Sequence, residues 1–274
     1  MIWVAGEIVP DKALGISVLD RTFEHGLGLF ETLRTWNGHP TLLDRHLARL
    51  KRSAAELRLP LDPAALPDAD AVAALVRASG IEGDAMLRIT MSGGLSETAG
   101  AVVWMRAAPL PPPLREGVVR VEGYWPVLAD DLLARHKALN YWNRRLAYEQ
   151  ARAEGFDEML SISPDRKVWE GSRTNLFVVF GPLLSTPRAD GPLVPGVMRS
   201  VVLEWAKRLG LEVGEGELGP DGLRMAHEAF LTNAVRGIIP IAHLVGHRLP
   251  APGPWTKRLW EDILPWLASG GRTP

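Results

Sequence analysis

The ten residues "APLPPPLREG", Ala108–Gly117, hold four prolines. Proline fixes φ and lacks the N–H that a helix interior or sheet ladder requires, so regular structure cannot run through this stretch. The spacing predicts a semi-rigid linker between a small domain, residues 1–107, and a larger one, residues 118–274. A proline-rich surface loop inside one domain is the alternative. With 274 residues the chain is long enough for either arrangement and for a sizeable core.

Before the prolines, "LGLFETLRTW" (Leu27–Trp36) has the residue types of a buried strand. Asn37–Gly38 is a strong type I′ hairpin signal, returned by "HPTLL". Leu43, Leu47, Leu50, Ala54 and Leu57 then fall on one helical face over Thr41–Leu59, which Pro60 ends. On that helix Arg49 lies away from the leucine face, and periodicity alone makes it solvated. "DADAVAALVRASG" predicts a second helix, and "AMLRITMSGG" and "AVVWMRAA" two strands.

After the prolines, "GVVRVEGYW", "EMLSIS", "KVWEGS", "NLFVVF" and "LLSTPR" predict strands. Helices are expected over Asn143–Gly155 and over Pro195–Gly210, the latter with Met198, Val201, Val202, Trp205 and Leu209 inward. "EAFLTNAVRGIIPIAHL" is a strand-like apolar run broken at "TNAVRG". The fold class is therefore mixed α/β (α+β).

Several function classes lose their footing. The net charge of −1 offers no global field for nucleic acid or an anionic membrane, and no basic patch runs between the ten tryptophans. With no cysteine, disulfides, thiolate zinc sites and thiol catalysis are excluded. No metal is expected, because His243 and His247 lack a third ligand. "GLGLFE" lacks the third glycine of a dinucleotide loop, and there is no Gly-x-Ser-x-Gly elbow. "MIWVAGEIVPDK" has no basic-then-apolar leader pattern and no uncharged apolar run approaches a membrane span, so a cytoplasmic protein is expected.

Six segments in order carry a resemblance: "DRTFEHGLGLFETLR" (Asp20–Arg34), "HLARLKRSA" (His46–Ala54), "HKALNYW" (His136–Trp142), "VWEGSRTNLFVV" (Val168–Val179), "VPGVMR" (Val194–Arg199) and "FLTNAVRGIIPI" (Phe230–Ile241). Together they resemble the class IV aminotransferases, pyridoxal-phosphate enzymes of fold type IV. That family includes branched-chain and D-amino acid transaminases and aminodeoxychorismate lyases. The resemblance implies a small α/β domain, a linker, a larger domain with a β-barrel-like core and flanking helices, and a homodimer. It implies pyridoxal 5′-phosphate as cofactor and a small-molecule substrate, either an amino acid with a keto acid or aminodeoxychorismate.

It also implies roles. Lys137 matches the lysine that forms the Schiff base with the cofactor and then moves the substrate proton. Glu170 matches the glutamate that faces the pyridine nitrogen. Arg49 matches the phosphate arginine, and the N–H groups of Val197 and Met198 match a helix N-terminus at the same phosphate. Tyr141, or Asn140, matches a tyrosine near the cofactor's phenolic oxygen, with a core tyrosine as its rival. Asn233 and Ala234 match the cofactor-binding turn, and transaminases of the family usually carry at the position of Ala234 a hydroxyl residue reaching towards the phosphate. The alanine at 234 favours the lyase branch. "MSGG" (Met91–Gly94) and the leucine between Gly26 and Gly28 depart from both branches. Arg173 and Arg236 are candidate partners for substrate carboxylates, each with a surface or interface arginine as its rival. An aminodeoxychorismate lyase is the favoured expectation, an amino acid transaminase the second, and a non-catalytic cofactor-binding relative the third.

Overall fold

The computed structural model describes residues 1–114 and 117–271. The chain forms two compact units. The first comprises Met1–Pro111, Lys137–Asn140 and the chain from Pro265 on; the second comprises Pro112–His136 and Tyr141–Leu264. The expected linker over residues 108–117 includes Arg115 and Glu116, which lie outside the described residues.

The first unit is a six-stranded sheet with helices. Its strands are β1 (Ile2–Val4), β2 (Glu7–Val9), β3 (Gly28–Trp36), β4 (His39–Pro40), β5 (Ala85–Ser92) and β6 (Val103–Pro109), in the order β2-β1-β6-β5-β3-β4. All pairings are antiparallel. Asn37 and Gly38 both take positive φ, 49° and 78°, so the β3–β4 hairpin closes with the geometry its Asn-Gly pair predicts. The helices are α1 (Arg21–His25), α2 (Leu43–Glu56) and α3 (Ala69–Ala78). Asp68 caps α3 by accepting the Ala71 N–H. Leu50 and Ala54 of α2 and Val72 and Leu75 of α3 pack with Leu33, Leu87, Ile89, Met91 and Met105 of the sheet.

The α2 helix is shorter than Thr41–Leu59 because Leu42 takes a left-handed backbone, φ 54°, and cannot sit in the first turn. Arg49 is not solvated. It is 7% exposed and paired to Glu31 of β3. Periodicity misplaces it because α2 has a second, polar buried stripe, and a polar partner on a strand leaves no mark in the apolar pattern.

The second unit is built on a closed barrel. Its strands are β7 (Val119–Pro126), β8 (Glu158–Ile162), β9 (Val168–Gly171), β10 (Asn175–Phe180), β11 (Leu183–Pro187), β12 (Glu212–Gly216), β13 (Glu228–Asn233), β14 (Gly237–Leu244) and β15 (His247–Arg248). The order β10-β13-β14-β7-β8-β9 closes through an Asn175–Glu170 pairing of β10 with β9. The β14–β7 and β7–β8 pairings are parallel, and β11 and β12 extend outward from β10. Val121, Leu160, Leu176, Val178, Leu231, Ile239 and Ile241 fill one core.

Both β10 and β13 are buried on both faces, which is why they read as continuous apolar runs instead of alternating ones. The flanking helices are α4 (Trp142–Ala153), α5 (Val197–Arg208), α6 (Pro220–Arg224) and the part of α7 (Pro254–Ala268) that ends at Leu264. On α5, Met198, Val201 and Val202 are buried as expected, joined by Leu203 and Ala206, while Trp205 and Leu209 are only half-buried. Among the described residues no helix is long and apolar enough to cross a membrane.

Candidate active site

Lys137 is set by backbone pairing to the first residues of β3. The Phe30 N–H donates to the Lys137 carbonyl and the Leu139 N–H to the Gly28 carbonyl, each at 2.9 Å. Gly28 makes this approach possible. It has φ 135°, and a Cβ there would lie 2.6 Å from both Leu139 Cδ1 and the Met91 carbonyl oxygen. Gly26, φ 68°, ends α1 in the left-handed conformation. The two glycines around Leu27 thus have backbone reasons. Lys137 is half-buried, with Nζ 4.5 Å from the Phe30 ring centroid.

In the same unit a buried trio joins β3 to α2. Glu31 Oε1 accepts from Arg49 Nε at 2.8 Å, and Oε2 accepts from Arg49 Nη2 at 2.6 Å. His46 Nδ1 lies 2.7 Å from Oε2. Positions 46 and 49 share a helical face, so both point at the strand. Burial alone would raise the Glu31 carboxyl, but the Arg49 charge and the bonds from Arg49 and His46 bring it down to about 2. Burial pushes His46 below the ordinary histidine value. Glu31 opposes that shift, and the Arg49 and Lys137 charges add to it.

In the second unit the buried Glu170 carboxylate is the centre of a network. Oε1 accepts from Arg144 Nη2 at 2.5 Å and from the Val194 N–H at 3.0 Å; Oε2 accepts from Asn175 Nδ2 at 3.1 Å. Burial works against the Arg144 charge, but Glu170 beside it raises its pKa above the usual arginine value. Asn175 also donates to the Val194 carbonyl at 2.8 Å. Tyr141, the residue before α4, donates its hydroxyl to the Ser172 carbonyl at 2.9 Å. Burial raises the Tyr141 pKa, with Glu170 and Glu158 adding to the shift and Arg144 opposing it.

α5 begins at Val197 with Gly196 as its N-cap and no side-chain cap, so the N–H groups of Val197 and Met198 stand at an uncapped N-terminus. A Cβ on Gly196 would lie 2.0 Å from Asn175 Oδ1. The hydroxyls of Ser172 and Thr232 are buried without a partner among the described residues. Thr232 pairs in register with Asn175, so that orphan lies at the end of β13 beside the Glu170 network. Asn233 Oδ1 accepts the N–H groups of Val235 at 3.0 Å and Arg236 at 2.8 Å, which closes the turn carrying Ala234.

Arg173 is exposed and lies 3.5 Å above the Tyr148 ring. Arg236 is half-buried and donates to the Pro112 carbonyl at 2.9 Å. Burial, then the nearby Arg173 charge, lowers its pKa. Sequence reasoning missed Glu31, His46, Arg144, Asn175 and the two orphan hydroxyls. Only the run of polar residues inside otherwise buried strands could have marked Glu31 and Asn175. Nothing local distinguishes Arg144 from the neighbouring Arg145, which is exposed.

A sequence model of the family described as Amino-transferase class IV matches residues 28–244, and the chain belongs to that family. It is therefore a pyridoxal-phosphate-dependent enzyme of fold type IV, an aminotransferase or lyase. A putative branched-chain-amino-acid aminotransferase of Methanocaldococcus jannaschii is 30% identical over 273 residues, covering 96% of this chain and 94% of the relative. An aminodeoxychorismate lyase of Bacillus subtilis is 29% identical over 257 residues, covering 89% and 86%. The crystal structure of a branched-chain aminotransferase from Thermoproteus uzoniensis with norvaline superposes with a TM-score of 0.86 at 28% identity, covering 98% of this chain and 95% of that one.

The residues present fit the cofactor. A carboxylate buried among N–H donors suits a protonated pyridine nitrogen, and an uncapped helix N-terminus suits a phosphate. The buried, unpartnered hydroxyls of Ser172 and Thr232 suit further polar groups of a ligand.

Proposed function

We propose that the enzyme is an aminodeoxychorismate lyase-type enzyme, releasing pyruvate and leaving 4-aminobenzoate. The observation that carries the reading is the turn after β13. Ala234 offers no hydroxyl, and Asn233 already takes the N–H groups of Val235 and Arg236. The guanidinium groups of Arg173 and Arg236, close enough for one charge to perturb the other, are the candidates for substrate carboxylates. The near-full-length likeness to the lyase of Bacillus subtilis supports the same reading.

When bound, pyridoxal 5′-phosphate supplies an electron sink for the substrate bonds at Cα. From the first unit we assign Lys137 as the amine that holds the cofactor covalently and moves the proton at substrate Cα. Arg49 is assigned to the phosphate. From the second unit, Glu170 is assigned to hold the proton on the pyridine nitrogen, with Arg144 and Asn175 fixing its carboxylate. The N–H groups of Val197 and Met198 and the Asn233–Ala234 turn are assigned to the phosphate side, and Tyr141 to the phenolic oxygen. A homodimer in the cytoplasm belongs to this reading.

An amino acid transaminase is the second reading, favoured by the 30% identity to the putative branched-chain enzyme across nearly the whole chain. A paired assay separates the two. Purified enzyme given aminodeoxychorismate should release pyruvate and fluorescent 4-aminobenzoate. Amination of 2-keto acids from an amino donor, with no pyruvate from aminodeoxychorismate, would replace the lyase by the transaminase.

A further inference from the structure

We propose that Glu31 and His46 are positioning residues: the bidentate grip of Glu31 on Arg49, buttressed by His46 on the same carboxylate oxygen, aims the Arg49 guanidinium and makes this enzyme's cofactor affinity depend on the phosphate. The inference rests on the assignment of Arg49 to that phosphate.

Three observations carry it. The trio is buried, with Glu31 and His46 each 1% exposed and Arg49 7%. The contacts are short and directional, at 2.8, 2.6 and 2.7 Å, and they use both oxygens of one carboxylate. The trio also lies in the unit that holds Lys137, whose charge reaches His46.

Stability is a poor reason for such a group. A buried ion pair is often no better than well-packed apolar residues of the same volume, because desolvation offsets the attraction. Here the strand and helix already pack through Leu33, Leu50 and Ala54. Orientation is a better reason. An arginine side chain loses much rotamer freedom when fixed, and a planar fork held at Nε and one Nη has its plane and direction set in advance. That cost is then met on folding and not on ligand binding. His46 Nδ1, 2.7 Å from Oε2, adds a third contact to the carboxylate. Spaced three residues from Arg49 on one turn of α2, it is held in place by the same helix.

The test compares pyridoxal 5′-phosphate with pyridoxal, which lacks the phosphate, by tryptophan-fluorescence titration of the apo-protein, so turnover plays no part. The wild type is expected to bind the phosphorylated form far more tightly. Glu31→Gln should lose roughly tenfold in affinity for pyridoxal 5′-phosphate, the scale of a misaligned charged contact, and nothing in affinity for pyridoxal. Glu31→Asp, which keeps the charge but shortens the reach, should fall between. His46→Gln should show about a threefold loss of the same kind, and it serves as the measure if Glu31→Gln does not fold.

Arg49→Gln is the control. If it leaves the ratio of the two affinities at the wild-type value, the assignment of Arg49 to the phosphate is wrong. If it lowers that ratio while Glu31→Gln and His46→Gln keep it, the positioning role is wrong and the assignment stands. A gain in pyridoxal 5′-phosphate affinity in Glu31→Gln would also overturn the proposal, since it would mean that Glu31 competes with the phosphate for Arg49.

Discussion

The Arg144 guanidinium donates to Glu170 Oε1 at 2.5 Å, and the same Arg144 nitrogen donates to the Ala134 carbonyl at 2.9 Å. Both side chains are buried, so neither charge has water to fall back on. Removing one partner of a buried pair costs on the order of 3–5 kcal/mol, because the other charge is left uncompensated. Arg144→Met should lower the unfolding free energy by that order in urea titrations. If Glu170 faces the cofactor's ring nitrogen as proposed, the visible absorption of the bound cofactor should change as well. A variant with wild-type stability and an unchanged spectrum would remove Arg144 from the site.

Glu31 links the site to acid stability. Its folded value of about 2 lies below the reference of 4.5. A depressed carboxylate stabilises the fold fully above its unfolded value, and the contribution disappears as pH falls through the folded one. The window is therefore about pH 4.5 down to 2, and the contribution on the order of 3 kcal/mol. Other carboxylates titrate there too, so the measurement is the difference between wild type and Glu31→Gln. Their unfolding free energies should converge as the pH falls through this window, and parallel curves would mean that Glu31 is not held low.

Lys137 gives a sharper chemical outcome. Borohydride reduction of the cofactor-loaded wild type should add one reduced cofactor mass, located by peptide mapping at Lys137. Lys137→Ala should lack that adduct while still binding the cofactor reversibly, and turnover should fall roughly 10²- to 10⁴-fold, the range for losing a proton-transfer group. An adduct on another lysine would move the assignment.

Much of the fold was legible in the sequence. The Asn37–Gly38 hairpin, the second helix α3 and the buried strands β10 and β13 follow from turn chemistry and from apolar patterning. The roles assigned to Lys137, Glu170 and Arg49 rest on six motifs in order, not on periodicity. Arg49 shows why. A helix can bury a polar stripe when the facing strand carries the opposite charge, and only the folded register brings residue 31 against residues 46 and 49. Arg144 was illegible for the same reason, since Glu170 is a distant residue in the chain. The closing of the barrel through Asn175 and Glu170 is likewise a long-range pairing that no local pattern specifies.

Gly196 tests the phosphate end. Its φ of −66° is open to any residue, so strain is not the issue. The Cβ of Gly196→Ala would lie 2.0 Å from Asn175 Oδ1, and Nδ2 of the same side chain donates to Glu170 Oε2 and to the Val194 carbonyl. Overpacking of this kind costs about 1–3 kcal/mol. We expect a lower melting temperature together with weaker cofactor binding, because the start of α5 and Asn175 must both shift. An unchanged cofactor dissociation constant would separate the α5 N-terminus from the phosphate.

Thr232 distinguishes a structural hydroxyl from a ligand-directed one. Its Oγ1 is buried without a partner among the described residues, on a residue 1% exposed. A buried hydroxyl with no hydrogen bond costs about 1–3 kcal/mol, so replacing it by a methyl of the same shape should relieve the apo-protein. Thr232→Val should therefore raise the melting temperature of the apo-enzyme. If the hydroxyl meets a polar group of the cofactor or substrate, the same change should weaken that binding, and the stabilisation that ligand confers on the wild type should shrink. Paired melts with and without pyridoxal 5′-phosphate, then with substrate, read both effects. A variant more stable in every state would mark Thr232 as outside the site, and one less stable as apo-protein would mean that the hydroxyl is satisfied within the fold.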